Sequence, residues 1–275
     1  MKVWQDKLKP IQPYFVLDTS CFRQEVYLRQ GISHFYSFKI EEDIDLKTVP
    51  DGCIDIMFEY CGNDMKTYAC GSILQQSTQH WDGGCEIFGV RFMPGFLPAG
   101  LNAVPKDLIN KRIVLDDIVI ERKIIEKMSK ETDFFQRIRV FIECYTALEK
   151  KDINPYGKLE LCMAVKDLVY ESNGLIKVSE IAEKMDYTER YINKVFIEFM
   201  GISPKVFCKV IQFQRSLDAL NYGNIDNMTE LAVNLGYYDQ SQFIRDFKRF
   251  SGTTPNKYLK MIENRRYKEL IITEK

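Results

Sequence analysis

Histidine is nearly missing. His34 and His80 are the only two in 275 residues, they stand far apart, and neither belongs to an H-x-H pair. A metal-dependent barrel enzyme needs clustered imidazoles with a carboxylate, so the sequence offers no metal site of that kind. No C-x-x-C occurs among the eight cysteines, and the spacings of Cys53, Cys61, Cys70 and Cys85 fit neither a zinc pattern nor a disulfide framework. Glycine-rich phosphate loops are also wanting: Gly83-Gly84 and the stretch 93–100 lack the P-loop and dinucleotide spacings. The first residues, MKVWQDKLKP, have no apolar signal core. No run of about 18 uncharged apolar residues could span a bilayer. The longest charge-free apolar stretch, 92–104, is broken by Pro94, Gly95, Pro98 and Gly100. These absences predict a cytoplasmic chain with reduced thiols, no membrane association, no cofactor, no metal and no catalytic residue.

A surplus of one charge is missing too. Lys and Arg number 38 against 39 Asp and Glu, a net −1, which at face value argues against a nucleic-acid binder. The sum hides an asymmetry: residues 1–157 carry −3 and residues 158–275 carry +2. What is present is ample core material, with 45% apolar residues in a length suited to two domains.

The first hundred residues read as strands. In Cys53-Ile54-Asp55-Ile56-Met57-Phe58-Glu59-Tyr60, the side chains of Ile54, Ile56, Phe58 and Tyr60 share one face at period two. Similar runs fall at 33–40, 66–70 and 85–92, separated by Pro50-Asp51-Gly52, Gly62-Asn63-Asp64 and Asp82-Gly83-Gly84. Short strands at this spacing predict a small barrel or sandwich. Aromatic side chains such as Trp81 and Phe58 are candidates for an apolar effector pocket, with Asp55 and Arg91 as polar anchors on otherwise apolar strands. The cysteines read either as small buried side chains or as a thiol sensor. A lone histidine reads as a structural residue.

Helix formers dominate 116–151, where Phe134, Ile138, Phe141, Tyr145 and Leu148 make an a/d seam. That seam either packs on the strand domain or pairs with a second copy. Residues 152–157 read as a linker. The predicted fold is α+β: a β-rich, cupin-like sensing or dimerisation domain over 1–152 with helices at its end, then an all-α domain over 158–275.

The second domain is internally duplicated. Ile181-Ala182-Glu183-Lys184-Met185 has its counterpart fifty positions on in Leu231-Ala232-Val233-Asn234-Leu235. Beyond that the offset is fifty-one, matching Ile192 to Phe243, Phe196 to Phe247, Gly201 to Gly252 and Pro204 to Pro255. Each copy reads as a helix-turn-helix. A short helix carries a small Ala at the contact, a polar cap (Thr188 or Asp239) opens the second helix, and Gly followed by Pro ends it. Nineteen helical residues between the copies reach roughly 28 Å, and two recognition helices so tied suit successive major grooves about 34 Å apart.

The outward faces carry base-reading chemistry. Copy one offers Arg190, Asn193 and Lys194; copy two offers Gln240, Ser241, Gln242, Arg245, Lys248 and Arg249. Amides pair with adenine and cationic side chains with guanine. Residues 248–268 hold seven basic side chains against Glu263 alone, a local +6 suited to phosphates.

On these residues the chain resembles the AraC/XylS-type bacterial transcription regulators. The resemblance lies in Ile181-Ala182, Gly201-Ile202-Ser203-Pro204, Leu231-Ala232…Gly236-Tyr237 and Phe243-Ile244-Arg245-Asp246-Phe247-Lys248-Arg249-Phe250…Gly252…Thr254-Pro255…Tyr258. Asp186 stands where Gly236 stands in the second copy, and Asp246 where relatives often have an aliphatic residue. The resemblance implies binding to double-stranded promoter DNA, usually activation through RNA polymerase, and an N-terminal domain that senses a small-molecule effector or forms a homodimer. The N-terminal domain is similar to one some members carry, through Val49-Pro50-Asp51-Gly52-Cys53-Ile54-Asp55 and Gly89-Val90-Arg91-Phe92-Met93-Pro94-Gly95. The competing reading is a ligand-binding or enzymatic barrel whose helical half is a protein-docking module.

Overall fold

Period-two alternation in the first half becomes a six-stranded antiparallel sheet. The computed structural model describes residues 10–119, 121–149, 156–223, 225 and 227–272. Helix α1 (Pro13–Leu17) precedes β1 (Ser20–Arg29), β2 (Ile32–Ile40), β3 (Ile44–Thr48), β4 (Ile54–Cys61), β5 (Asp64–Cys70), β6 (Ser77–Trp81) and β7 (Cys85–Phe92). After the short helix α2 (Pro105–Leu108) comes β8 (Arg112–Val114). The large sheet runs β1-β2-β7-β4-β5-β8, and β3 pairs with β6 as a separate ribbon. The four apolar runs of the sequence are β2, β4, β5 and β7. The others escaped notice because each is half-exposed or short: the ribbon strands IDLKT and STQHW bury only Leu46 and Trp81.

Alternation sorts the sheet's side chains to two sides. Ile56, Phe58, Phe35, Phe88 and Val90 form one core with the helical seam, while Met57, Tyr36, Phe38 and Ile87 face the ribbon and α1. Gly89 is required where it stands, because a Cβ there would lie 2.0 Å from the Tyr36 ring that crosses it. The predicted helical stretch 116–151 is two helices, α3 (Lys123–Met128) and α4 (Phe134–Glu149). Asp133 breaks it, its Oδ1 accepting from the N–H groups of Phe135 and Gln136. Phe134, Ile138, Phe141 and Tyr145 pack on Phe35, Phe58 and Phe88, with Phe141 5.9 Å from Phe35. The seam therefore serves the strand domain.

Cys61 and Cys85 stand directly opposite in the β4–β7 register and are joined as a disulfide. This corrects the expectation of reduced thiols only. Spacing in sequence says nothing about partners across a sheet, where register alone brings two side chains together.

Of the predicted linker, residues 152–155 lie outside the described residues, and Tyr156 with Gly157 already begins helix α5 (Tyr156–Glu171). Then follow α6 (Val178–Met185), α7 (Glu189–Met200), α8 (Pro204–Tyr222), α9 (Met228–Asn234), α10 (Gln240–Ser251) and α11 (Pro255–Asn264). The duplication extends to the caps. Thr188 accepts from Tyr191 N–H to open α7, and Asp239 accepts from Gln242 N–H to open α10. Gly201 and Gly252 end those helices, each at φ 75°. Ser203-Pro204 and Thr254-Pro255 then start α8 and α11 in the same way.

Helix α8 is buried along most of its length. Phe207, Cys208 and Ile211 complete the core of the first helix-turn-helix; Phe213, Leu217 and Leu220 complete that of the second. The strand domain covers what remains. Gln214, fully buried, accepts from Ile11 N–H at 2.7 Å and donates to the carbonyls of Ile11 and Pro50. Tyr14 donates to the carbonyl of Ser251, and the Ile272 N–H donates to the Phe22 carbonyl of β1.

Asp186, the C-cap of α6, sits at φ 56°, as Gly236 does at φ 78° in the second copy. A Cβ in the left-handed region costs free energy that glycine avoids. Asp186→Gly should therefore stabilise the chain by about 0.5–1 kcal/mol, read as a rise of roughly 1–3 °C in thermal midpoint. An unchanged or lower midpoint would show that the aspartate tolerates that conformation without strain.

Candidate nucleic-acid interface and interior cavity

Helices α7 and α10 bury one stripe each and turn the rest outward. Ile192, Val195, Phe196 and Met200 point into the first core; Phe243, Phe247 and Phe250 point into the second. Arg190 and Lys194 stand exposed on α7, and Ser241, Arg245 and Lys248 stand exposed on α10. The amides predicted to read bases are partly occupied in holding the motif itself. Asn193 Nδ2 donates to Glu189 O at 2.8 Å, Gln242 Oε1 accepts from Tyr238 N–H, and Gln240 Oε1 accepts from Thr229 Oγ1. Asp246 pairs with Lys209 at 3.2 Å, tying α10 to α8.

Arg249 differs from its neighbours. Still exposed, it lines the mouth of a cavity in the strand domain, and one turn further on Gly252 abuts Gln76 of the β5–β6 loop. A Cβ on Gly252 would lie 2.9 Å from Gln76 Oε1. The sequence placed Arg249 with the DNA-reading residues; the docking of the two domains places it beside the cavity.

That cavity, of about 560 Å³, lies between the large sheet and the β3–β6 ribbon. Its wall includes three of the four predicted effector residues: Asp55, Arg91 and Trp81. Phe58 is not among them. It lies one residue out of phase, on the opposite face of β4, fully buried against Phe88 and Phe141. Asp55 and Arg91 are paired with each other. Arg91 Nε and Nη2 donate to Asp55 at 2.9 and 2.6 Å, and Nη1 lies 3.3 Å from Asp51 Oδ2. Tyr36 donates to Asp55, while Gln12 and the Cys53 N–H donate to Asp51. Asp51, read from the sequence as a turn residue within the N-terminal motif, and Gln12, which the sequence did not single out, thus complete the cluster.

Burial governs the charges here. It pulls the Arg91 guanidinium down, but Asp55 and Asp51 outweigh it, holding Arg91 well above its ordinary value. Burial raises the Asp51 carboxyl, opposed by Arg91. It also lifts the Cys70 thiol to about 12 and Cys53 well above its ordinary value. Both stay protonated at neutral pH, which makes them poor thiolate sensors. The two histidines are structural in kind: His34 is buried beside Ser33, and exposed His80 meets Asp45 at 3.1 Å.

Glu59, Cys61 and Cys85 are the one cluster of metal-ligand type among the described residues, and its two sulfurs are bonded to each other. Among the described residues no helix is long and apolar enough to cross a membrane.

The model of a helix-turn-helix domain matches residues 181–261, which span both copies of the motif. The C-terminal domain is an AraC-type helix-turn-helix domain. Residues 25–114 of the strand domain match a family described as a domain of unknown function, DUF6597. The chain is similar to the Msm operon regulatory protein of Streptococcus mutans, 27% identical over 101 residues, 36% of each chain. It is also similar to an uncharacterised HTH-type transcriptional regulator of Bacillus subtilis, YtdP, 30% identical over 91 residues, which are 32% of this chain and 11% of that protein. The match thus spans about a third of the streptococcal relative's length and a ninth of the other's. Among solved structures, ToxT of Vibrio cholerae aligns over 85% of this chain and 98% of its own at 14% identity and a TM-score of 0.44. The C-terminal domain of AraT from Geobacillus stearothermophilus aligns over 36% and 84% at 20% identity and a TM-score of 0.34.

Removing Arg91 would leave two buried carboxylates without their shared cation. Arg91→Ala should cost about 3–5 kcal/mol in urea unfolding at pH 7, with part of the loss recovered in acid as Asp51, already raised by burial, takes up a proton. A loss below 1 kcal/mol would mean that water reaches the cluster.

Proposed function

We propose that this chain is a cytoplasmic, sequence-specific transcription regulator that holds double-stranded promoter DNA with α7 and α10. The observation that carries this reading is the matched construction of the two motifs. Each has a side-chain oxygen capping its second helix, a glycine ending it, a corresponding apolar stripe and an outward face of exposed cations, and each is built on one half of α8. Arg190 and Lys194 serve the first contact; Ser241, Arg245 and Lys248 serve the second. Lys257, Lys260 and Lys268, exposed beyond α10, suit phosphate contact. Near-neutral net charge makes non-specific affinity low, so both helices must read bases together. Activation through contact with RNA polymerase is the mode that the AraC/XylS resemblance favours.

The strand domain is the sensing half in this reading. Its cavity is of ligand size, its wall mixes apolar and polar groups, and it opens beside the second recognition helix. A homodimer, if formed, uses a surface other than the α4 seam.

A mobility-shift titration on the region upstream of the chain's own gene, against random DNA at two salt concentrations, tests the proposal. Affinity should fall steeply with salt, and Arg245→Ala should weaken specific binding by about 1–3 kcal/mol while sparing random DNA. Equal binding to both DNAs, or no salt dependence, would reject it in favour of a protein-docking role for the helical domain.

A further inference from the structure

One end of the large sheet gathers two sulfurs and a carboxylate on a single face. Glu59 and Cys61 stand two residues apart on β4, so their side chains share a side, and the β4–β7 register sets Cys85 directly opposite Cys61. The ligand atoms of the three residues all lie within 4.8 Å of one another. Glu59 and Cys85 are buried and Cys61 is half-buried.

The carboxylate is held ready. Arg112 Nη2 donates to Glu59 Oε2 at 2.8 Å, while Oε1 lies 4.0 Å from Cys61 Sγ. Arg112 is itself fixed, its guanidinium 3.5 Å from the centre of the Tyr68 ring and 4.0 Å from that of Trp81. An outer partner of this kind orients a carboxylate for a metal.

The sulfurs have two states. Bonded to each other they are inert as ligands. A thiol or phosphine reductant gives the disulfide two electrons, the sulfurs take up two protons, and the reductant leaves as its own disulfide or, with water, as a phosphine oxide. Zinc–thiolate bonds of about 2.3 Å in a tetrahedron place two sulfurs roughly 3.8 Å apart. Side chains facing each other across a Cα–Cα distance of 4.4 Å reach that separation by rotation. Two thiolates and a carboxylate bring three negative charges, of which a divalent cation offsets two and Arg112 the third. Sulfur ligands select a thiophilic ion over magnesium or calcium, which take oxygen. Water has access to the fourth position, since Cys85 lines an open polar cavity of about 620 Å³ with Lys39, Glu41 and Asn63.

From this arrangement we infer that the reduced pair Cys61 and Cys85, with Glu59, binds a zinc-type divalent cation, water completing the tetrahedron. Binding releases the two thiol protons to solvent. Disulfide and metal exclude each other, because sulfurs bonded together have no thiolate to give. The strand domain thus carries a site whose metal content follows the redox state of one cysteine pair, whether or not α7 and α10 hold DNA.

The full chain is reduced with a phosphine, freed of it by anaerobic gel filtration, and titrated with Co²⁺ and then Zn²⁺. The reduced chain should take up one equivalent of Co²⁺ with thiolate-to-metal charge-transfer absorption, which Zn²⁺ abolishes by displacement. The oxidised chain should show neither. Zn²⁺ should also shield Cys61 and Cys85, and no other cysteine, from alkylation read by peptide mass spectrometry. That measurement needs no substitution, so it stands even where a variant fails to fold. Glu59→Gln keeps both sulfurs and should weaken Co²⁺ by about ten-fold or more, at least the loss of an outer partner. The double variant Cys61→Ser/Cys85→Ser should lose the absorption. A reduced chain that binds no more metal than the oxidised one overturns the inference. So does a disulfide that the phosphine leaves closed, alkylation that Zn²⁺ does not slow at this pair, or absorption that survives the double variant. Undiminished affinity in Glu59→Gln overturns the carboxylate's place among the ligands.

Discussion

The amide of Gln214 is where the two halves of this protein become one structure. It sits midway along α8, wholly buried, and bonds the backbone of Ile11 and Pro50. From there an unbroken polar chain runs inward. Gln12 holds Val49 and Asp51, Asp51 holds Arg91, Arg91 holds Asp55, and Asp55 takes the Tyr36 hydroxyl. A buried polar network is tolerable only when its members are satisfied, and here each link supplies what the next one lacks. The chain therefore fixes the strand domain against the helical domain more specifically than apolar contact could. Apolar surfaces slide at small cost, whereas hydrogen bonds in a dry interior do not.

The helical half was legible almost to the residue. Caps, stripes and stops are local features, and a duplication states each of them twice. Thr188, Asp239, Gly201, Gly252, Pro204 and Pro255 all stand where their chemistry put them. What escaped was the state of the polar side chains. Asn193, Gln240 and Gln242 look like base readers in a sequence, but their amides also close the turns and the helix on which they sit.

The strand half was legible in its alternation and not in its pairing. The face shared by Ile56 and Phe58 follows from period two, yet which face meets the cavity depends on where α4 and the ribbon pack. Phe58 went to the wrong side for that reason. Cys61 and Cys85 meet through β4–β7 register, and Arg249 meets the cavity through domain docking. Both are contacts between distant parts of the chain, set by tertiary geometry that local pattern does not encode. Asp51 was legible only as a turn residue, and Gln12 not at all, because a loop residue and a residue ahead of a five-residue helix give no periodic signal.

Helix α8 has cores on both of its halves and a strand domain against its remaining face, so it cannot bend without opening packed interior. Modules joined by a flexible tether search for their second site at an effective concentration that falls gradually as linker and span diverge. A stiff, packed connector replaces that search with a fixed placement. Once one helix-turn-helix is seated, its twin is either in register with the next contact or excluded from it, and few intermediate affinities remain between those outcomes.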